Sequence, residues 1–325
     1  MRAAVVTRPG GPEVLLVREV PDPEPGPDEV LVAVKASALN RADLIQRAGN
    51  YPASPDAPAD IPGLEMAGVV ALVGPRVRGI APGDRVMALL GHGGFAEQAV
   101  ALESDCFAVP DDMDDDTAAT FMIGYISSHV AIRWQAKLEP GETLLVLGAA
   151  GGVGLTAIEI GKALGATVIA GASSTEKLEI ARQHGADQLI NYKSTSLKKS
   201  VAELTDGKGA NVCYDPVGGD LFDEALSSLA WGGRILVIGF VGGIPKIPAN
   251  RLLVKNRSAM GSSLRYYREH RPDQLRASVE ELIAWWRDGK LKPLISQRFS
   301  LENVPAAMAE LLERRAVGRI VIAMA

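Results

Sequence analysis

The stretch Thr143–Gly165, TLLVLGAAGGVGLTAIEIGKALG, constrains the fold more than any other part of the chain. An apolar run, Thr143–Leu147, stops at the cluster Gly148-Ala149-Ala150-Gly151-Gly152-Val153-Gly154. A helical pattern then follows through Leu155, Ile158, Ile160 and Leu164. Strand, tight turn and helix in that order keep bulky side chains away from the place where a phosphate approaches the backbone, and the helix start aims N–H groups at an anion. Glycines alone are also satisfied by an ordinary strand-to-helix turn. The next segment narrows the choice. Thr167–Ala172 (TVIAGA) reads as a second buried strand after the Gly165-Ala166 break, which completes a βαβ unit of dinucleotide-binding length.

The end of that second strand lies about 20 residues past the turn, where a ribose-binding residue belongs. It reads Gly171-Ala172-Ser173-Ser174-Thr175-Glu176-Lys177, with no carboxylate at the strand tip to accept from a ribose 2′-OH. Small hydroxyls followed by Lys177 suit a 2′-phosphate, so the sequence predicts NADP(H) over NAD(H). Ser174 or Thr175 also reads as a helix cap, and Glu176 is the nearby acid that speaks for NAD(H).

At 325 residues the chain is long enough for two domains. Its net charge of −5, with no long basic run, argues against nucleic acid and anionic membrane surfaces as partners. Two cysteines, Cys106 and Cys213, cannot form a disulfide scaffold and fit a reducing cytoplasm. The start, MRAAVVTRPGG, has no apolar core of a secretory signal, and the longest uncharged stretch, Thr143–Ile158, is too short to span a bilayer. The acidic run Asp111–Asp116 reads as a solvated loop ahead of a helix near Thr117.

The first hundred or so residues read as all-β. Ala3–Thr7, Val14–Glu19, Glu29–Ala36, Gly68–Val73, Arg85–Ala88 and Phe95–Leu102 are short strand-like runs between Gly- and Pro-rich turns. From about Ala118 to Gly261 the pattern alternates. Strands at Gln188–Asn191, Val212–Tyr214 and Arg234–Ile238 are separated by helices at Lys177–His184, Leu197–Thr205 and Leu221–Leu229, as in a mostly parallel sheet. Two further glycine clusters, Asp215–Gly219 and Gly239–Gly243, follow strands on the same edge as the first. The tail has helices at Gln274–Arg287 and Val304–Ala316 and a final strand, Gly318–Ala323, expected to rejoin the N-terminal β domain.

Five segments together carry a family resemblance: Leu39–Asp43, Pro62–Gly68, Pro82–Val86, the turn Ala149–Gly154, and Gly318–Val321. Across essentially its whole length the chain resembles the medium-chain dehydrogenase/reductase superfamily, and within it the zinc-independent quinone oxidoreductases, the zeta-crystallin-like group. The resemblance implies an α/β protein in which a Rossmann doubly wound parallel sheet domain, residues 119–265, is inserted in a partly open β-barrel (GroES-like) catalytic domain, residues 1–118 and 266–325. It implies NADPH as cofactor, an active site in the cleft between the domains, and a homodimer.

The same resemblance bears on metal. Zinc-dependent relatives place Cys where this chain has Asn40 and His where it has Leu64, and they carry a four-cysteine structural zinc lobe that two cysteines cannot build. The four histidines, His92, His129, His184 and His270, show no ligand spacing. No metal is expected. What remains is hydride delivery to an electrophilic acceptor, a quinone or an α,β-unsaturated carbonyl. By the resemblance, Asn40 donates to the acceptor oxygen from its amide, Asp43 orients neighbouring groups or the nicotinamide ribose, and Tyr51 stacks on or donates to the acceptor. Ala150, Gly151, Gly152, Val153 and Gly154 cradle the pyrophosphate. Ser173, Ser174, Lys177 and Tyr192 surround the 2′-phosphate, and Ser127, Gly239, Phe240 and Ser262 line the path from adenine to nicotinamide. The alternatives are an enoyl or enal reductase on the same scaffold, and a cofactor-binding protein with incidental turnover.

Overall fold

The computed structural model describes residues 1–50 and 60–324. It divides into two compact units, Met1–Ile123 with Pro293–Ala325, and Gly124–Lys292. Residues 266–292, expected with the β domain, therefore belong to the second unit. The reason is their packing. Leu275, Ser278, Val279 and Leu282 are buried, and Ser278 Oγ contacts His129 Nδ1 at 3.0 Å and accepts from Trp134 Nε1 at 2.9 Å.

In the first unit the strands are β1 Arg2–Val6, β2 Leu15–Glu19, β3 Glu29–Ala38, β4 Glu65–Val73, β5 Arg85–Leu89, β6 Gln98–Leu102 and β7 Cys106–Ala108. In the second unit they are β8 Thr143–Leu147, β9 Thr167–Ala172, β10 Gln188–Asn191, β11 Ala210–Asp215, β12 Leu229–Val237 and β13 Ser258–Gly261. The chain then returns to the first unit with β14 Ile295–Ser300 and β15 Arg319–Ala323. The helices used below are α1 Arg41–Arg47, α2 Asp115–His129, α3 Gly152–Ala163 and α4 Thr175–Gln183.

The first unit is organised by β3. Along one side it pairs antiparallel with β4. Along the other, its first half pairs with β6 and its end with β15, so three partners surround one strand and the sheet curls. Register shifts between Leu31 and Val32 and between Val34 and Ala36 bend it further. The sheet runs β14-β15-β3-β4-β5-β7, with β6 beside β3 and β1–β2 as a separate hairpin. The last strand thus joins the N-terminal sheet as the sequence predicts. Val30, Val32, Met66, Val86, Phe95, Val304, Met308 and Ile322 are part of its core.

The second unit is a six-stranded sheet ordered β10-β9-β8-β11-β12-β13, with every neighbouring pair parallel. β8 and β9 form where the apolar runs predict, and near-continuous burial through Leu144–Leu147 is what a parallel strand covered on both faces requires. The order reverses between β8 and β11. In open α/β sheets ligands bind outside the carboxyl ends of strands at such a point. No helix among the described residues is long and apolar enough to cross a membrane.

Candidate active site

The glycine turn leaves β8 at this switch point. Gly148 is left-handed (φ 57°), a conformation that favours glycine, and Ala149 N donates to Gly171 O at 3.1 Å, tying the turn to β9. Gly151 N donates to Gly148 O at 2.9 Å, and Gly154 N and Leu155 N both donate to Gly151 O at 3.0 Å. The turn's own hydrogen bonds therefore leave the N–H groups of Ala150, Gly152 and Val153 uncommitted at the start of α3. At Gly154 a Cβ would collide with Gly148 O and lie 2.8 Å from Ala149 C, so helix and turn approach as closely as glycine permits. Three donors unpaired among the described residues, a helix start and no side chain over the backbone fit a diphosphate.

The loop after β11 meets this turn, since a Cβ at Gly148 would lie 3.2 Å from Val217 Cγ2. After β11, Asp215 Oδ1 accepts from Val217 N at 2.8 Å and Gly218 N at 2.9 Å. Gly219 N donates to Gly243 O at 2.8 Å, and Gly242 N to Val217 O at 2.6 Å, joining the loops after β11 and β12. The three glycine clusters thus share one edge, as their spacing predicts. Gly239 and Phe240 follow β12, and Phe240 and Ser262 line a cavity of about 480 Å³ with Val237, Ile238, Tyr266 and Tyr267.

The 2′-phosphate candidates come together at the ends of β9 and β10. Ser173 and Ser174 follow β9, Ser174 Oγ caps α4 by accepting from Lys177 N at 3.4 Å, and Tyr192 N donates to Ala172 O at 3.2 Å. Glu176 sits in the first turn of α4, its carboxyl held below the usual range first by the Ser174 hydroxyl. Ser174 is therefore occupied as a cap and as a donor to Glu176. Ser127 is half-buried near the end of α2.

In the first unit, Asn40 is the N-cap of α1 and Asp43 is its third residue. Asp43 Oδ2 accepts from Asn40 N at 2.7 Å and Oδ1 from Gly63 N at 3.1 Å, and burial pushes its carboxyl up to about 7. The Asn40 amide has partners on both sides. Its Nδ2 donates to Glu65 Oε1 at 2.8 Å and to Ala38 O at 3.1 Å, which uses both hydrogens. Its Oδ1 accepts from Arg319 Nη1 at 3.0 Å. The amide has no N–H left for an acceptor oxygen. Flipping it would face NH₂ against guanidinium and oxygen against carboxylate, so the network fixes its orientation. Glu65 and Arg319 form an ion pair, 0% and 7% exposed at their side chains. Glu65 Oε2 accepts from Ile123 N at 2.7 Å. Burial pushes the Glu65 carboxyl up, and the guanidinium pulls it back down. Tyr51 lies outside the described residues.

Sequence reasoning quotes Glu65 and Arg319 as motif letters and gives them no role. The signal was present: each is a charge in an otherwise apolar strand, and such a charge needs a partner.

Residues 26–111 match the alcohol dehydrogenase GroES-like domain family, and residues 152–284 the zinc-binding dehydrogenase family. The chain is 38% identical over 317 residues to quinone oxidoreductase of Pseudomonas aeruginosa, covering 96% of each chain. It belongs to the quinone oxidoreductase family of the medium-chain dehydrogenase/reductase superfamily. Two solved structures with quinone oxidoreductase in their names share its fold. That from Pseudomonas syringae pv. tomato has TM-score 0.93 and 32% identity, covering 99% of each chain. That from Escherichia coli, complexed with NADPH, has TM-score 0.90 and 30% identity, covering 99% of this chain and 98% of its own. A quinone oxidoreductase fold thus carries the glycine turn described above. Among the described residues, no group of three His, Cys, Asp or Glu side chains is placed to hold a metal.

Proposed function

We propose that the protein transfers hydride from NADPH to a quinone, or to a similarly activated carbonyl or alkene, without zinc. The observation that carries this reading is the set of N–H groups at Ala150, Gly152 and Val153, uncommitted among the described residues, beside β9, which is followed by Ser173, Ser174 and, in α4, Lys177. The similar E. coli quinone oxidoreductase is complexed with NADPH. When bound, NADPH supplies the hydride. The chain's own part is to hold the diphosphate on backbone N–H groups and to meet the 2′-phosphate with Lys177 and Tyr192. Gly151 and Gly154 keep the backbone open to the ligand. Gly239, Phe240 and Ser262 line its further path, and Ser127 remains with that group.

The donor set supports a zinc-free reading. Leu64 offers no ligating atom, and Asn40 Oδ1 already accepts from cationic Arg319, whose charge repels a divalent ion. Asn40 and Asp43 then shape the entry to α1 rather than donate to the acceptor, and Tyr51 is left as the proposed acceptor contact. Homodimerisation is supported by β13, a strand at the edge of its sheet, with Trp231, Ile244, Leu253 and Val254 exposed nearby. A cytoplasmic setting is supported by a cysteine count of two, both of them buried.

The test compares oxidation of NADPH and NADH with 9,10-phenanthrenequinone, 1,4-benzoquinone and several enones, in wild type and Lys177→Ala. Quinone turnover with NADPH preferred, and that preference reduced in the variant, is expected. Equal kcat/KM for both coenzymes in the wild type refutes the 2′-phosphate reading. An enone reduced far faster than any quinone makes the protein an enoyl-type reductase.

A further inference from the structure

Three buried hydroxyls behind the glycine turn belong to residues that the coenzyme reading does not use. Ser128 on α2, Thr156 on α3 and Tyr214 on β11 are 0%, 4% and 0% exposed. Ser128 Oγ lies 2.9 Å from Tyr214 OH and 2.8 Å from Thr156 Oγ1. Thr156 Oγ1 lies 3.0 Å from Val153 O and 3.1 Å from Gly124 O, and Ser128 Oγ lies 3.2 Å from Val153 O. Each hydroxyl carries one hydrogen. An arrangement that satisfies all three runs from Tyr214 to Ser128, from Ser128 to Thr156, and from Thr156 to Val153 O, the nearer of its two carbonyls. Burial pushes the Tyr214 phenol up, which keeps it a neutral donor at the head of the chain.

Val153 is where this relay ends and where the proposed diphosphate site begins. Its carbonyl accepts from Thr156 Oγ1 at 3.0 Å, while its N–H is uncommitted among the described residues. We infer that Ser128, Thr156 and Tyr214 are positioning residues for the coenzyme diphosphate. They fix the first turn of α3 so that its N–H groups are pre-aimed before the anion arrives. A site ordered in advance does not lose affinity to ordering on binding. A core that only needed filling would accept Phe and Val at Tyr214 and Thr156, with no hydroxyl to satisfy. The inference rests on NADPH binding at this turn and adds what sets its strength.

Titration calorimetry with NADPH, NADH and 2′-AMP tests it in wild type, Thr156→Val, Thr156→Ser and Tyr214→Phe. 2′-AMP carries the 2′-phosphate and no diphosphate. Loss of one hydrogen bond's worth of ordering weakens both NADPH and NADH roughly fivefold to tenfold in Thr156→Val and Tyr214→Phe. Binding of 2′-AMP stays within about twofold of wild type, and Thr156→Ser recovers most of the NADPH affinity. In turnover, KM for NADPH rises while kcat holds. The inference is overturned if folded Thr156→Val or Tyr214→Phe binds NADPH as the wild type does. It is also overturned if 2′-AMP weakens in step, because the unit as a whole has then loosened. Should Thr156→Val fail to fold, Tyr214→Phe, which removes a single oxygen, decides alone. A wild type that binds neither dinucleotide refutes the coenzyme reading itself, and that measurement comes first.

Discussion

Replacing Arg319 by Met tests whether the Glu65–Arg319 pair holds the first unit together. Both partners are buried, so their charges are out of water and depend on each other. Without the guanidinium, Glu65 keeps two neutral donors, Asn40 Nδ2 at 2.8 Å and Ile123 N at 2.7 Å, and no cation. Breaking a buried pair from one side costs about 3–5 kcal/mol. For a unit of this size each kcal/mol moves Tm by about 2–4 °C, so Arg319→Met melts roughly 6–20 °C lower. The double variant Glu65→Gln/Arg319→Met removes both charges and regains most of the loss, since an apolar or neutral replacement of a whole pair is often tolerated. The pH dependence has a definite sign. Burial already raises the Glu65 carboxyl above its ordinary value, and losing Arg319 raises it further. A folded-state value above the unfolded one means stability present at low pH and lost as pH rises between the two. The penalty of the single variant is therefore larger when measured at about pH 8 than at about pH 5, read by urea denaturation and calorimetry. A penalty below about 1 kcal/mol at both pH values refutes the reasoning, as does a penalty that is larger in acid. So does a double variant no more stable than the single one.

At Gly154, Ala puts a Cβ against the backbone of Gly148 and Ala149, which cannot rotate away. The expected result is a loss of about 1–3 kcal/mol of stability and much weaker NADPH binding. Wild-type Tm and NADPH Kd in Gly154→Ala would contradict that packing. Asp43 is buried and pushed up to about 7 from 3.8, so it opposes folding increasingly as pH rises across that window. In Asp43→Asn this loss disappears. The difference in unfolding free energy between variant and wild type then changes by up to about 4 kcal/mol across the window, read by denaturant melts at several pH values. A difference that stays flat places Asp43's titration elsewhere.

Much of the fold is legible because hydrophobic period and glycine position report local geometry. Thr143–Leu147, Thr167–Ala172 and Gln188–Asn191 form strands with the predicted ends, since a parallel strand covered on both faces must be an apolar run between breaks. Three strands lack that signature. β7 is three residues long, β13 is a four-residue edge strand with no buried position, and β14 alternates half-buried and exposed residues with no fully buried one. The tail helix Pro272–Arg287 is plain in its periodicity. An amphipathic stripe, however, does not say which unit will cover it, and here residues of the second unit do.

The candidate site divides along the same line. The glycine turn is built from residues adjacent in sequence, so its spacing carries its chemistry. What a side chain can still donate is decided by tertiary partners. Asn40 is satisfied by Glu65, 25 positions away, and by Arg319, 279 positions away. A short segment around Asn40 shows an amide with two hydrogens to offer. The folded chain shows one with none, because a buried N–H left unpaired costs more than any single function justifies unless something else meets it. The Ser128–Thr156–Tyr214 relay is hidden from the sequence for the same reason: it joins α2, α3 and β11, and no spacing within one element reveals it. Residues that touch a ligand through the backbone are thus found by pattern. Those that hold the backbone still are found only by counting donors and acceptors in the assembled core.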